Sequence, residues 1–110
     1  MNDLITLITT VKVQDDDLEE SVTTKQTEII GDIEDTKRTE FYAAMAANHK
    51  VSKTIDNVNV YDYELAIVER EDGKKIRPQQ VRIDGEVYDI LRTYAKDTFN
   101  MQIVCEEVDL

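Results

Sequence analysis

The chain has 110 residues, with 24 acidic and 13 basic side chains, a net charge of −11. That length suits one domain, 1–110, and a surface this acidic is ill suited to clamping phosphates, because affinity for nucleic acid comes mainly from Lys and Arg. The composition leaves three uses for the charge: repelling DNA, imitating it or binding cations.

The acidity is unevenly spread. Residues 14–40 hold ten acids against Lys25, Lys37 and Arg38, so seven of the eleven net charges fall in one quarter of the chain. The N-terminus lacks a basic region and a cleavage site, and no apolar run approaches the ~20 residues needed to span a bilayer, so the sequence predicts a soluble product made in the cytoplasm with no membrane contact. A single cysteine, Cys105, offers no intrachain disulfide.

From the N-terminus, Ile5, Leu7, Thr9, Val11 and Val13 alternate with Thr6, Ile8, Thr10 and Lys12, the period of a strand with one buried face. Asp15, Asp16 and Asp17 interrupt it. A second Thr/Val/Ile-rich strand comes next, over about 22–34; Gly31 suggests a bulge, with Ile29, Gly31 and Ile33 pointing inward. Thr39 to Asn48 is alanine-rich and predicts the one short helix, with Thr39 as N-cap and Phe41, Ala44 and Met45 on one face. Val58, Val60 and the run 61–68 read as one or two strands, ended by a turn at Glu71-Asp72-Gly73-Lys74-Lys75. Pro78 belongs to a loop or an edge. Gln80–Ile90 is a hairpin closed by Asp84-Gly85, because a two-residue type I′ turn needs φ > 0 at both central positions. A final pair, about 90–94 and 101–108, completes an all-β chain: a small β-barrel of about six strands with one short helix in a long inter-strand excursion.

Catalytic chemistry finds no foothold. There is one His, one Cys, no glycine-rich phosphate loop and no metal-ligand spacing. His49 reads as a surface histidine and Cys105 as a buried thiol on an alternating strand. Asp15, Asp16, Asp17, Glu19 and Glu20 could gather a hard cation, but the run lacks the glycine and alternation of an EF-hand loop, so a solvated turn is the default. Arg70, Lys74, Lys75, Arg77 and Arg82 form the basic cluster. Without interleaved aromatics it suits an acidic protein surface better than bases, and the acidic run of a neighbouring copy is the natural partner. Candidate inter-subunit charges are therefore Asp15, Asp16, Asp17, Glu19 and Glu20 against Lys74, Lys75 and Arg77. No cofactor, metal or catalytic residue is expected.

Seven segments follow one another along the chain: Asp3-Leu4-Ile5-Thr6-Leu7-Ile8, Ile30-Gly31-Asp32-Ile33, Glu40-Phe41-Tyr42-Ala43-Ala44, Tyr61-Asp62-Tyr63, Val81…Ile90, Leu91-Arg92-Thr93-Tyr94 and Met101-Gln102-Ile103-Val104-Cys105-Glu106. In that order they resemble the small head-closure (head–tail joining or stopper) proteins of tailed bacteriophages. Two features depart from that pattern: the 16 residues between Tyr63 and Gln80, a stretch usually shorter in such proteins, and Thr36, where an apolar residue is common. The topology of 64–80 stays open. The resemblance implies a non-enzymatic virion connector component in which copies, typically twelve, form a ring between the portal-bound adaptor protein and a tail-completion protein. It also implies that an excursion over 36–52 faces the channel and retains packaged DNA, with Thr39, Glu40, Phe41, Tyr42, Met45 and His49 as its candidate channel or interface residues. The acidic segment, reaching the start of that excursion, would keep passing DNA from adhering. The rival reading is an acidic DNA mimic that inhibits a host nucleic-acid-binding protein, and its warrant is the net charge alone.

Overall fold

The computed structural model describes residues 3–14, 20–35 and 53–108. Six antiparallel strands close a barrel in the order β1 (Asp3–Gln14), β2 (Glu20–Asp35), β3 (Lys53–Asn59), β8 (Asn100–Glu107), β7 (Glu86–Ala95) and β6 (Gln80–Ile83). A short helix α1 (Val60–Leu65) and a two-stranded hairpin, β4 (Val68–Glu69) with β5 (Lys75–Ile76), sit between β3 and β6. The all-β barrel expected from the alternation is present. The helix expected at Thr39–Asn48 lies outside the described residues.

The core follows the period of two. Ile5 and Leu7 on β1, Ile29 on β2, Ile55 and Val58 on β3, Val81 and Ile83 on β6, and Met101, Ile103 and Cys105 on β8 all point inward. Val13, expected on the same face as Ile5, is 39 % exposed because β1 there has run past the barrel. Ile8, expected to face outward, is buried where the chain passes beside it and Gln79 N–H donates to its carbonyl at 3.2 Å.

Strands β1 and β2 pair without a register break over twelve residue pairs, from Asp3↔Gly31 to Gln14↔Glu20. Their barrel neighbours are much shorter. β6 pairs β1 only from Thr6 to Ile8, and β3 pairs β2 only from Asp32 to Asp35. The remainder of the β1–β2 pair is a two-stranded ribbon overhanging one end of the barrel.

Three local expectations are corrected. Gly31 marks no bulge in β2. The bulge lies in β3, between Ile55 and Val58, and an added Cβ on Gly31 would meet Ile55 Cγ2 at 2.6 Å and Val58 Cγ2 at 3.1 Å. The glycine therefore makes room for its bulged neighbour. Residues 60–65, read as strand, are helical: Asn59 caps the helix by accepting from Tyr61 N–H at 2.8 Å and Asp62 N–H at 3.3 Å, and Tyr63 is buried. A capped turn that buries an aromatic ring outweighs the strand preference of Val and Tyr. Finally, 86–95 is one continuous strand, with a register shift between Ile90 and Arg92, rather than the ends of two. The Asp84-Gly85 turn has the positive φ values its type requires, 50° and 84°.

Candidate assembly surfaces

The two ends of the barrel present different chemistry, and strand direction assigns each segment to one of them. β2 runs 16 residues from the acidic turn to the start of 36–52. At ~3.3 Å per residue it carries the chain roughly 50 Å. The Asp15–Glu19 connection therefore leaves from the ribbon end and 36–52 from the opposite end. Of the acidic segment 14–40, Asp32 and Glu34 stand on the part of β2 that leads to 36–52, while the 15–19 connection attaches at the strand's other end.

At the ribbon end the barrel is stoppered by α1. Tyr63 and Ala66 join the core, and the carbonyls at the helix C-terminus, which have no partner within the helix, are taken by the ribbon. Thr9 Oγ1 donates to Ala66 O at 2.6 Å and Lys25 Nζ to Leu65 O at 2.8 Å. Lysine is the favoured charge at that end of a helix dipole. On the other side of α1, Val60 N–H donates to Phe99 O at 2.9 Å and the rings of Tyr61 and Phe99 lie 6.2 Å apart, both half-exposed.

The β4–β5 hairpin lies over the inner face of the ribbon. Between them runs a groove of about 470 Å³ lined by Val11, Val13, Thr23 and Val68, with Lys12, Lys25 and Arg70 among its polar residues. Arg70 pairs with Asp72 at 3.1 Å, and Gly73 turns the hairpin with φ 86°. Lys74, Lys75 and Arg77 are exposed. Arg82 does not join them: it stands on β6, and its Nη1 donates to Gln26 Oε1 of β2 at 3.2 Å. The basic cluster read from sequence is thus a hairpin set of four plus one barrel-wall arginine. Asp15, Asp16, Asp17 and Glu19 lie outside the described residues, and Glu20 opens β2 opposite Gln14. The hairpin cations and the attachment of the acidic run share the ribbon end.

At the opposite end the barrel has a mouth. A concavity of about 540 Å³ is lined by Ile33, Ile83 and Tyr88, with Asp3, Asp84, Glu86 and Lys53 also on its wall. Tyr88 O–H donates to Glu86 Oε2 at 3.1 Å, and burial, reinforced by that carboxylate, raises the phenol above its ordinary pKa. Asp3 Oδ2 accepts from Ile33 N–H at 3.1 Å, tying the first strand to the rim. Asp35 and Lys53, the last described residue before 36–52 and the first after it, are direct partners across β2 and β3. Those 17 residues therefore leave and return side by side at the rim. Thr39, Glu40, Phe41, Tyr42, Met45 and His49 all belong to that connection and lie outside the described residues.

Below the rim, Asp32 and Asp56 face each other across β2 and β3, a like-charge pair that would destabilise the sheet if left alone. Asn57, in the β3 bulge with φ 53°, donates from Nδ2 to Asp32 Oδ2 at 2.7 Å, and this bond lowers the Asp32 pKa. Lys96 forms an ion pair with Asp56. Cys105 is fully buried, its Sγ 3.5 Å from Lys53 O, and burial pushes its pKa up to about 12, so it is a structural thiol and no nucleophile. Among the described residues no group of three or more His, Cys, Asp or Glu is placed to hold a metal, and no helix is long and apolar enough to cross a membrane.

The sequence reading missed the mouth and the groove, because each joins residues far apart in the chain. Asp3 with Asp84 and Glu86, or Val11 with Val68, share no periodic signal. No family model, curated protein or solved structure matches this chain.

Proposed function

We propose that this protein is a structural, non-enzymatic component of a phage or prophage head–tail connector. Copies of the chain stand side by side in a ring between the portal-bound adaptor and the tail, and 36–52 is turned toward the axial channel. The observation that carries this reading is a 17-residue connection rooted on two adjacent strands at the mouth of a small closed barrel, in a chain whose motif order resembles head-closure proteins. Such an arrangement lets a rigid wall hold its neighbours while one segment projects without disturbing the core.

Charge placement supports the same reading. A ring built by rotation about an axis needs complementary patches at one height along that axis. The hairpin cations Lys74, Lys75 and Arg77 stand at the ribbon end, where the connection that carries the acidic run attaches, so the acids of one copy can meet the cations of the next. The charge met by DNA near the excursion is then that of the mouth, Asp3, Asp84 and Glu86, offset by Lys53. A net negative rim lets a polyanion pass without adhering, within a screening distance of about 8–10 Å at physiological salt.

Co-expression with portal and adaptor proteins encoded beside its gene, followed by electron microscopy, tests the proposal. The expected result is a ring on the adaptor with 36–52 at the channel. Density for that segment on the outer rim, or co-purification with a host DNA-binding protein in place of the adaptor, would overturn it.

A further inference from the structure

The ribbon has two edges, and among the described residues only that of β1 is capped beyond its pairing with β6, at Thr10. Along β1, Gln79 acts as a one-residue partner strand: its Oε1 accepts from Thr10 N–H at 2.9 Å and its Nε2 donates to Thr10 O at 3.0 Å. Gln79 N–H also donates to Ile8 O. Even-numbered residues of β1 therefore turn their backbone groups away from β2. Odd-numbered residues turn theirs toward it, and they pair with odd-numbered residues of β2, as in Thr9↔Lys25 and Leu7↔Thr27. Val22, Thr24, Gln26, Glu28 and Ile30 accordingly point their N–H and C=O groups outward from the free edge of β2.

No described residue bonds to that edge between Ser21 and Gly31, since β3 joins β2 only from Asp32 onward. Its side chains are exposed throughout on the outer face, Val22 by 59 % and Ile30 by 53 %. Natural sheets protect such an edge with a lysine, a proline, a bulge or a short strand. None operates here. The one lysine, Lys25, turns inward to the Leu65 carbonyl, the register with β1 is unbroken, and the edge from Val22 to Ile30 is nine residues long.

We propose that this edge pairs with the same edge of a second copy, antiparallel about a two-fold axis through Gln26. That register keeps outward-bonding residues opposite one another and makes the edge complementary to itself. Val22 faces Ile30 of the other copy at both ends, Thr24 faces Glu28, and Gln26 faces its own equivalent. Between Ser21 and Gly31 no like charges stand opposite. Neighbouring registers are poorer: a centre at Lys25 sets Val22 against Glu28, and a centre at Thr27 sets Thr24 against Ile30. The contact continues the β1–β2 ribbon into a four-stranded sheet crossing the dimer. It closes at two copies and does not depend on the connector reading.

Sedimentation of the full chain across concentration, with oxidative cross-linking, tests the register. Gln26→Cys places two thiols opposite each other at a Cα separation of about 5.5 Å, within disulfide reach, whereas Thr24→Cys leaves them about 14 Å apart. Only the first is expected to give a linked dimer; equal linking of both, or of neither, overturns the proposal. Thr24→Lys sets a cation opposite Glu28 twice and should tighten the dimer about threefold to thirtyfold, while Thr24→Lys with Glu28→Lys should disperse it. Both changes lie on the exposed outer face, so the circular dichroism of each variant is expected to match that of the parent chain, which checks that it folds. Amide exchange at Thr24, Gln26 and Glu28 should slow as concentration rises. Slow exchange at every dilution would mean that a segment of the same chain covers the edge, and would also overturn pairing between copies.

Discussion

At the ribbon end of the barrel a capped helix, a buried tyrosine and two side-chain bonds to helix carbonyls stopper the core; at the other end the same core opens to a charged mouth beside the roots of 36–52. Both ends grow from the same six strands. The difference lies in the residues that adjoin each strand terminus: α1 starts one residue after β3 and has to pack, whereas the connections at the mouth are the two-residue Asp84-Gly85 turn and the root pair Asp35 and Lys53. Among the described residues the packing that closes the core is therefore concentrated at one end, and the other end carries the roots of 36–52.

The largest effect is expected from Tyr63→Ala, which removes the buried ring from the stopper. Denaturant titration should show a loss of about 3–5 kcal/mol. Next comes Gly31→Ala, which breaks the contrast by striking the wall near the open end. Its Cβ would press on Ile55 Cγ2 at 2.6 Å while Asp56 O stands 3.3 Å away, so a loss of roughly 1–3 kcal/mol is expected in the same titration. Thr9→Val keeps the shape and deletes the donor to Ala66 O, leaving a buried carbonyl unpaired. About 1–2 kcal/mol should be lost, with faster amide exchange in α1. At the mouth, Tyr88→Phe removes only the half-buried bond to Glu86, and a change within about 0.5 kcal/mol would sharpen the comparison.

Cys105→Ser should alter the pH response most visibly in base. The thiol is held protonated in the fold, with a pKa raised from 9.0 to about 12 by burial. A raised folded-state value means that its contribution is complete below pH 9, where the unfolded thiol is also neutral. That contribution falls away as pH climbs from 9 toward 12. Thermal unfolding followed between pH 8 and 11.5 should show a steeper decline for the parent chain than for the variant. Thiol reagents should fail to label the folded protein at neutral pH.

Much of the barrel could be read from alternation because β1, β6 and β8 each turn every second residue into the core, even though Ile8 and Val104 on the other face are covered as well. The Asp84-Gly85 turn was equally legible, since few residue pairs accept two consecutive positive φ values. What failed did so for a shared physical reason. A glycine inside a strand gives the same signal whether its own backbone bulges or its neighbour's does, and here it was the neighbour's. Val60-Tyr61-Asp62-Tyr63-Glu64-Leu65 carries strand-forming residues, yet Asn59 as cap and the inward Tyr63 and Ala66 make it a stopper. Nothing in the sequence shows the cavity that this helix closes, so the run reads as strand. Of the candidate site residues, Lys74, Lys75 and Arg77 stand together on an exposed hairpin, while Arg82 parts from them because pairing with β1 and β7 fixes it on the barrel wall.

The unbroken pairing of β1 with β2 also makes the ribbon a ruler. Its length is set by residue count, so the span between the two connections that β2 joins is written directly into the sequence. Inserting two residues into each strand would lengthen that span by about 6.6 Å and keep every side chain on its face. A single inserted residue in β2 would turn Ile29 and Gly31 outward and Ile30 into the core. Selection acting on the distance between the acidic turn and the excursion would therefore work in steps of two.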